Sequence, residues 1–197
     1  MTARTERSTP AYGEGRDALL RAAIKVTAER GLRGLTYRAV AEEAGVAHGL
    51  VRFHFGSRDA LIVAATQYSL PESIKFGELS TGNINISEFG TAVPNMILSD
   101  GDLLAFQYEV IMESRRRPEL RAVVDELYSE LRRATIDDLK GRGIDTNRGL
   151  GLLVFAALDG LVLQGVALDD HTEIKEALVA LRTVLEYAKS HPEAFRS

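Results

Sequence analysis

The segment TYRAVAEEAGVAHGLVRFHFGSRDALI, residues 36–62, constrains this chain most, because it has the pattern of two short helices joined by a sharp turn. A helix over Tyr37–Ala44 is followed by Gly45, at the point where the chain must turn. Val46 and Val51 can fill the angle between this helix and the next. The residues left pointing away from that packing are His48, Gly49, Arg52 and Phe53. A helix pair that presents a small, partly basic helix has the shape that enters the major groove of DNA.

The same stretch resembles the DNA-binding domain of the tetracycline-repressor-like (TetR) family of transcriptional regulators. The resemblance runs from Ala22 to Ile62, and its most specific part is GVAHGLVRFHF followed by GSRDAL. It implies an all-α fold, with an N-terminal three-helix helix-turn-helix domain and a C-terminal helical domain for ligand binding and dimerisation. It also implies a DNA-binding transcriptional regulator, typically a ligand-responsive dimeric repressor that binds a near-palindromic operator.

The chain divides into a short arm and two helical domains. Residues 1–14 are polar and are predicted to be a disordered arm. Residues 15–66 are the predicted helix-turn-helix domain, which begins with an amphipathic helix over Arg16–Arg30 that Gly31 ends. Residues 67–197 are the predicted effector-binding and dimerisation domain.

Apolar periodicity predicts a series of helices in the second domain. The helix that begins near Ser57 is expected to end before Pro71, because proline interrupts helical hydrogen bonding. Short helices are predicted over residues 72–79 and 88–98, with Pro94 kinking or splitting the second. Stronger patterns predict helices over Asp102–Arg116, from Pro118 to about Lys140, over Arg148–Leu168 and over Glu173–Lys189, with a loop over Gly141–Asn147.

The last two predicted helices carry more apolar surface than a single small domain needs. The helix over 148–168 is apolar nearly all round, and the helix over 173–189 has one apolar stripe. The two helices either complete the core of one chain or pair with a second copy into a four-helix bundle. The family resemblance favours the second arrangement, a homodimer through these helices.

Composition limits the environment of the protein. The absence of cysteine excludes a disulfide framework and a thiolate metal site, and it fits a reducing cytoplasm. The polar N-terminus has no apolar segment of the kind found in signal peptides. No uninterrupted apolar run reaches the about 18 residues that span a bilayer, since residues 149–168 include Asp159 and Gln164. We therefore expect a soluble, cytoplasmic protein without a membrane partner.

Charge is distributed unevenly along the chain. The formal net charge is −4, but residues 1–66 carry a net charge of +3 and residues 67–197 a net charge of −7. A basic first third on an acidic remainder suits a domain that meets phosphate and a body that avoids it. The small size of the positive charge also allows a chance fluctuation.

By the family resemblance, the third helix and its flanks contact double-stranded DNA. The matching positions are Ala47, His48, Gly49, Leu50, Arg52, Phe53, His54 and Arg58. Thr36 and Tyr37, at the start of the second helix, are expected to contact the DNA backbone, because amide groups at a helix N-terminus favour an anion. Arg52 stands where the family often has an aromatic residue, and its guanidinium can pair with guanine or with phosphate. Phe53 replaces a common tyrosine and so lacks the phosphate-binding hydroxyl. His54 either donates to phosphate or braces the helix, and Gly49 either admits DNA backbone or relieves a helix contact. Arg58 keeps the charge of a family lysine.

Polar residues on otherwise apolar helices point to a ligand site. Gln107 shares a helix face with apolar residues, and a buried amide needs a hydrogen-bond partner. Either a small-molecule pocket between helices or an internal hydrogen bond would explain it. The same choice applies to the other predicted ligand-binding residues, Tyr108, Tyr128, Asp159 and Gln164. The predicted partner is an unknown small-molecule effector, and no cofactor is predicted.

The sequence offers little support for catalysis or metal binding. Glu109 and Glu113 lie four residues apart but lack the Glu-x-x-His spacing of a di-iron bundle. His171 and His191 have no partner at metal-ligand spacing, and the phosphate-loop, nucleophile-elbow and dinucleotide motifs are absent. We therefore predict no enzymatic activity. The alternative interpretation is an all-helical enzyme or small-molecule carrier with an incidental basic N-terminal head.

Overall fold

The computed structural model describes residues 12–77, 85–168 and 172–195. These residues form α-helices joined by turns and short 3-10 segments, and no strand occurs among them. The prediction of an all-α fold is therefore confirmed. Most of the predicted N-terminal arm, the end of the predicted 72–79 helix and His171 lie outside the described residues.

The N-terminal head consists of α1 (Tyr12–Gly34), α2 (Tyr37–Ala44) and α3 (His48–Phe55). α1 extends beyond the predicted helix at both ends. Gly31 nevertheless breaks its helical backbone, with a φ of 65° that glycine adopts without steric cost. Gly31, the predicted end of the helix, is thus a non-helical residue inside α1. One short turn after it leads towards α2.

The remaining described residues form the body. Its helices are α4 (Arg58–Gly77), α5 (Val93–Ser99), α6 (Gly101–Glu113), α7 (Arg121–Gly141), α8 (Arg148–Ala167) and α9 (Thr172–Ser190), with 3-10 segments at Ile86–Glu88, Pro118–Leu120 and Pro192–Phe195. Pro94 and Pro118 each stand in the first turn of a helical segment, where a proline leaves no hydrogen bond unmade. The predicted helix over 88–98 is therefore shorter than expected, because it begins only just before Pro94.

α4 continues through Pro71, so the prediction that this helix ends before the proline was wrong. Proline removes the hydrogen bond that residue 71 would donate to the carbonyl group of Gln67. Both residues are exposed, so water can hydrate the freed carbonyl group. The opposite side of α4 is buried and includes Ser69 and Ser73. Packing of that side accounts for the continuation of α4 past Pro71.

Two apolar cores stabilise the protein, and the first crosses from the head into the body. It joins residues of α1 to α4 with Phe106 and Val110 of α6, and with Leu120 and Val124 at the start of α7. Phe106 and Val110 are fully buried. The second core lies mainly between α5, α8 and α9. Because body residues complete the first core, the head and the body pack as one unit.

Two polar contacts reinforce this junction. The backbone N–H of Leu32, directly after the break in α1, donates to a carboxylate oxygen of Glu109 on α6 at 3.2 Å. Arg117, just before α7, forms an ion pair with Asp59 in the first turn of α4. These contacts tie the end of α1 and the start of α4 to the body.

Arg142 closes the far end of the body. The sequence analysis placed it in a loop, but its side chain is among the most deeply buried in the described chain. Its guanidinium group donates to the carboxylate of Asp138 at 3.0 Å and to the carbonyl oxygen of Asn85, and it lies 5.4 Å from the ring centroid of Phe89. These partners compensate part of the lost hydration of a buried cation, since Nη2 of Arg142 has no hydrogen-bond partner among the described residues.

α8 is the most apolar helix of the body. Over Gly149–Ala167 it has the length and the mean hydropathy, 2.0, of a membrane-spanning helix, although Asp159 and Gln164 interrupt its apolar run. Core helices of water-soluble proteins meet the same two criteria. Here α8 packs against α5, α6, α7 and α9, and it carries Asp159 at its centre. Only 39% of this stretch is buried within the chain, so α8 retains a large exposed apolar surface.

Candidate DNA-binding surface and ligand pocket

The turn between α2 and α3 has the geometry that the sequence predicts. The hydroxyl oxygen of Thr36 accepts a hydrogen bond from the N–H of Ala39 at 3.1 Å and so caps α2. Gly45 ends α2 in the left-handed conformation, with a φ of 67°, and its N–H returns to Ala41 and Glu42. A side chain at Gly45 would strain this backbone. Cap and glycine together set the direction in which α3 leaves the turn.

α3 has a buried face and an exposed face. Val51 and Phe55 are buried in the first core. The exposed predicted contact residues are Ala47, His48, Gly49, Arg52 and Phe53. Phe53 is 74% exposed, which is a large apolar area to leave in water. Leu50 differs from these residues, because it is half-buried against the first core.

Gly49 is not required by packing within the protein. A Cβ atom at this position would meet no other atom within 4 Å. Relief of a helix–helix contact is therefore excluded as its role in this structure. Close approach of a DNA backbone is the explanation that stays open.

Arg52 provides an available positive charge on α3. Within the described chain it has no hydrogen-bond or ion-pair partner, whereas Lys25 and Arg38 of the head pair with Glu43 and Glu42. A free guanidinium group on an exposed helix face can bind a base edge or a phosphate group at little cost in internal contacts.

Tyr37 and His54 brace the head from within. The hydroxyl group of Tyr37 donates to the carbonyl oxygen of Gly56 at 3.0 Å, which joins the start of α2 to the end of α3. The ring of His54 is half-buried, with its centroid 5.5 Å from that of Phe53 and 6.1 Å from that of Phe55. Both residues can still reach DNA from these positions, but both also contact neighbouring parts of the head.

Arg58 has a structural role that the sequence analysis did not foresee. Its guanidinium group donates to the carbonyl oxygen of Leu35 at 2.8 Å and to that of Leu32. Leu32 lies in the last turn of α1 and Leu35 directly follows that helix, so Arg58 binds backbone carbonyl groups where α1 ends. A phosphate contact by Arg58 would have to compete with these two bonds.

A cavity of about 90 Å³ lies within the body, between α4, α5, α6, α7 and α8. Its wall is mostly apolar, with a few polar side chains. Four of the five predicted ligand-binding residues line it, namely Gln107, Tyr108, Tyr128 and Asp159. A mostly apolar cavity with a few converging polar groups is the usual form of a small-molecule site.

Gln107 lines this cavity and also forms internal hydrogen bonds. Its amide nitrogen donates to the hydroxyl oxygens of Ser69, at 2.9 Å, and Ser73, at 2.5 Å. Both serines belong to α4, and all three residues are buried. The two explanations considered for the buried amide are therefore compatible. Gln107 connects the cavity wall to the helix that begins beside the head.

Asp159 is held by two phenol groups. The hydroxyl of Tyr108 lies 3.0 Å from the backbone oxygen of Asp159 and 3.1 Å from its Oδ1. The hydroxyl of Tyr128 donates to Oδ2 at 3.3 Å. The carboxyl group is half-buried at the wall of the cavity. Residues from three helices thus meet at one carboxylate.

The titration behaviour of this cluster follows from its burial. Burial, together with the neighbouring charge of Asp159, raises the pKa of Tyr128 to about 12 and that of Tyr108 still further. Burial also raises the pKa of Asp159, and the hydrogen bonds from the two phenols oppose that rise. Both tyrosines therefore stay protonated at neutral pH and act as hydrogen-bond donors.

Gln164 is not among the residues that line the cavity, so its assignment to the ligand site stays a prediction. It is exposed on α8. Five residues separate it from Asp159, which places the two side chains roughly 140° apart around the helix. Gln164 therefore faces outward when Asp159 faces inward.

The sequence analysis also missed lining residues, including Ser73, Thr135 and Phe155. Ser73 was missed because α4 was expected to end before Pro71. Thr135 and Phe155 lie on apolar helix faces, where the sequence does not distinguish a cavity wall from a core. The sequence signal that could have indicated this side of the cavity was the pair Ser69 and Ser73, two polar residues spaced four apart on one helix.

Two family models match the chain. The model described as "Bacterial regulatory proteins, tetR family" matches residues 19–65, and the model described as "Tetracyclin repressor-like, C-terminal domain" matches residues 87–186. No curated protein matches the sequence.

Several solved structures are similar to this one. A TetR family member from Streptomyces coelicolor A3 is 26% identical, with a TM-score of 0.70, and the alignment covers 87% of this chain and 98% of the other. The multidrug binding protein EbrR, complexed with ethidium, is 27% identical, with a TM-score of 0.67 and coverage of 89% and 99%. A TetR-family regulator from Rhodococcus sp. is 22% identical, with a TM-score of 0.69 and coverage of 90% and 99%, which shows a shared fold.

Proposed function

The chain belongs to the TetR family of bacterial regulatory proteins, and we propose from this premise that it is a homodimeric repressor that a small organic ligand releases from a near-palindromic operator. It is a DNA-binding, ligand-responsive transcriptional regulator. Family members are generally not enzymes, and we extend this to the present chain. As a soluble DNA-binding protein, it is proposed to act in the cytoplasm.

The observation that carries the DNA-binding proposal is the division of α3 into two faces. Val51 and Phe55 hold the helix in the head, while Arg52 and Phe53 project outward. We assign base or phosphate contact to the exposed residues of α3, with Arg52 as the main source of sequence preference. The free backbone N–H groups at the start of α2, beside Thr36 and Tyr37, suit a phosphate group. Leu50, His54 and Arg58 are assigned supporting roles, since each also packs or bonds within the protein.

The proposed dimer interface is the exposed side of α8 and α9. The large exposed apolar residues there are Leu152, Leu153, Leu163, Leu168, Val179, Val184 and Tyr187. On α8 they follow helical spacing, and the exposed Gln164 lies on the same side. A continuous apolar surface on two adjacent helices supports burial against a second copy as a four-helix bundle. Two heads would then face successive major grooves.

The proposed route from ligand to DNA runs through α4. The cavity touches α4 through Ser73, and Gln107 bonds both Ser69 and Ser73. At its other end, α4 contacts the head through Arg58 and the body through Asp59. A ligand that favours one position of α4 would therefore change the separation of the two heads. EbrR, which has the same fold, has been solved with ethidium and with proflavin, which supports a small-molecule site in this chain.

Selection of bound sequences from random DNA duplexes tests the proposal. We expect an inverted repeat whose half-sites are centred about one helical turn, or a multiple of it, apart. Binding should weaken steeply with salt, because cationic side chains displace counterions from phosphate. Selection of no sequence, together with no binding to duplex DNA at low salt, would favour a ligand carrier with an incidental head.

A further inference from the structure

One end of the cavity combines a carboxylate with three aromatic rings. Asp159 accepts hydrogen bonds from Tyr108 and Tyr128, and Phe155 lies one helical turn before Asp159 on α8. The rings of Tyr128 and Phe155 meet edge to face, with centroids 5.7 Å apart. All four residues line the cavity. We refer to them as the aromatic–acidic cluster.

The charge of this cluster has no internal counterpart. No lysine, arginine or histidine is among the described residues that line the cavity. The hydrogen-bond partners of Asp159 are neutral phenols, and the nearby Arg132 influences Tyr128 from outside the lining. A half-buried carboxylate loses hydration, and neutral donors compensate that loss only in part. The cavity therefore has a negative potential that a cationic ligand would neutralise.

We propose that the effector is a compact organic ammonium ion, whose nitrogen lies among the three rings and pairs with Asp159. This inference rests on the proposed function, since it assigns a ligand class to the same cavity. Aromatic rings attract an alkylammonium group through their negative faces, and a desolvated site strengthens that attraction. The apolar remainder of the cavity would take the alkyl or aryl substituents.

The size of the cavity sets the scale of the ligand. At about 90 Å³ it is smaller than the engineered cavity of roughly 150 Å³ that holds benzene in another protein. A compact ammonium ion therefore requires less rearrangement than an extended ligand. Asp159 disfavours anions directly, and a neutral ligand of the same shape leaves the carboxylate without a counter-charge.

The test compares two compact probes of similar size, tetramethylammonium and tert-butanol, in which carbon replaces the charged nitrogen and a hydroxyl group replaces one methyl group. Titration calorimetry on the full-length protein without DNA should show at least about tenfold tighter binding of the cation. Equal affinities, tighter binding of the neutral compound, or no binding of the cation would each overturn the ammonium assignment.

The variant Asp159→Asn tests whether the preference for the cationic probe depends on the Asp159 carboxylate. This variant keeps the shape of the side chain. We expect it to abolish the cation preference and to leave the affinity for tert-butanol little changed. Asp137→Asn, on an exposed position of α7, is the matched control and should keep the preference. An Asp159→Asn protein that still prefers the cation would contradict the proposal.

A pH series on the unaltered protein gives a second reading if Asp159→Asn does not fold. Protonation of Asp159 removes its charge, so the affinity for the cation should fall in acid while that for tert-butanol stays constant. The other ionisable groups near the carboxylate are Arg132 and the two tyrosines, Tyr108 and Tyr128. The raised pKa values of the tyrosines keep both of them protonated from neutral to acidic pH. Parallel curves for the two probes would overturn the assignment.

Release from the selected operator separates this inference from the proposed function. A cation that binds the free protein but leaves the DNA complex intact would support the ligand class and contradict ligand-controlled release. Release by a neutral or anionic compound, with no effect of ammonium ions, would support the proposed function and overturn the ligand class.

Discussion

The DNA-binding surface and the ligand pocket are built in opposite ways. The surface comes from one continuous segment, in which the cap at Thr36 and the turn at Gly45 orient α3. The pocket comes from five helices, and residues as far apart as Ser73 and Asp159 meet in it. The surface therefore depends on local geometry, whereas the pocket depends on how distant helices pack.

The functional side chains of the two regions also differ in how many contacts they make within the protein. On α3, Arg52 and Phe53 make few contacts with the protein and are available to a partner. In the pocket, Gln107 and Asp159 are already hydrogen-bonded within the fold. Substitutions on the surface should therefore affect binding alone, and substitutions in the pocket should affect both binding and stability.

The largest expected effect concerns the core that joins the two regions. Phe106→Ala removes a fully buried ring that belongs to α6 but packs in the first core with the head. We expect a loss of about 3–5 kcal/mol in the free energy of unfolding, because a cavity replaces the ring. Urea denaturation at fixed protein concentration, followed by circular dichroism and by operator binding, would measure it.

Phe53→Ala is the matched control, since the same side chain is lost from an exposed position. It should leave the unfolding transition unchanged and weaken operator binding only. In Phe106→Ala, operator binding could instead persist to a higher urea concentration than the helical circular dichroism signal. The head would then be stable by itself, and the shared core would not couple it to the body.

Arg52→Ala should weaken operator binding by about 1–3 kcal/mol and leave both stability and ligand affinity unchanged. The reason is that the exposed side chain of Arg52 has no hydrogen-bond or ion-pair partner within the described chain, so its removal costs no such internal contact. Binding to the selected operator and to variants at each base position would measure the effect. Relaxed preference at one position assigns Arg52 to a base, whereas equal weakening on all sequences assigns it to phosphate.

Arg116→Ala is the control for Arg52→Ala, since Arg116 is an exposed arginine of the body that pairs with Glu113. It should change neither operator affinity nor base preference. An equal effect of the two substitutions would show that overall charge, and not contact by α3, accounts for DNA binding.

The same contrast explains what the sequence could predict. Thr36, Gly45 and the buried Val51 lie close together in the chain, so local rules are enough to predict the turn and the faces of α3. The pocket was predicted only through four polar residues on apolar helices. Ser73 was missed because α4 was predicted to end too early. The sequence also does not show which side of α8 faces the cavity, because α8 is apolar on nearly all sides, and Gln164 lies on an exposed side.

The role of Arg58 shows a further limit. Its sequence position matches a contact residue of the family, yet its partners, the carbonyl groups of Leu32 and Leu35, come from another helix. Arg142 is similar, since its partners Asn85 and Phe89 lie more than fifty residues away. Charged residues that satisfy distant backbone groups cannot be told from surface charges by local pattern.

Gln107→Leu should weaken the link between the two regions without destroying either. The variant loses the hydrogen bonds to Ser69 and Ser73, whose hydroxyl groups still donate to backbone carbonyls of α4. We expect the coupling between ligand and operator binding to fall by about 1 kcal/mol, close to the net value of a buried hydrogen bond. Ligand affinity measured with and without operator DNA gives the coupling directly.

Gln67→Leu, an exposed substitution on the same helix, provides the comparison for Gln107→Leu. It should leave the coupling unchanged. If Gln107→Leu also left it unchanged, the ligand would have to act on the heads through a part of the body other than the Gln107 contact with α4.

The smallest expected effect is a gain in stability from Asp159→Asn. Burial raises the pKa of Asp159 in the folded protein, so the fold binds the proton more tightly than the unfolded chain does. The charged carboxylate therefore destabilises the fold above its folded pKa, and this cost disappears below the unfolded pKa. In the absence of ligand, the variant should be more stable than the original protein at neutral pH and equal to it in acid, as thermal unfolding across pH would show. A carboxylate kept at such a cost is expected where it serves a ligand. If the variant were less stable at neutral pH, Asp159 would instead be a structural residue. The pocket would then be an imperfectly filled core, without groups available to a partner of the kind that Arg52 and Phe53 provide on α3.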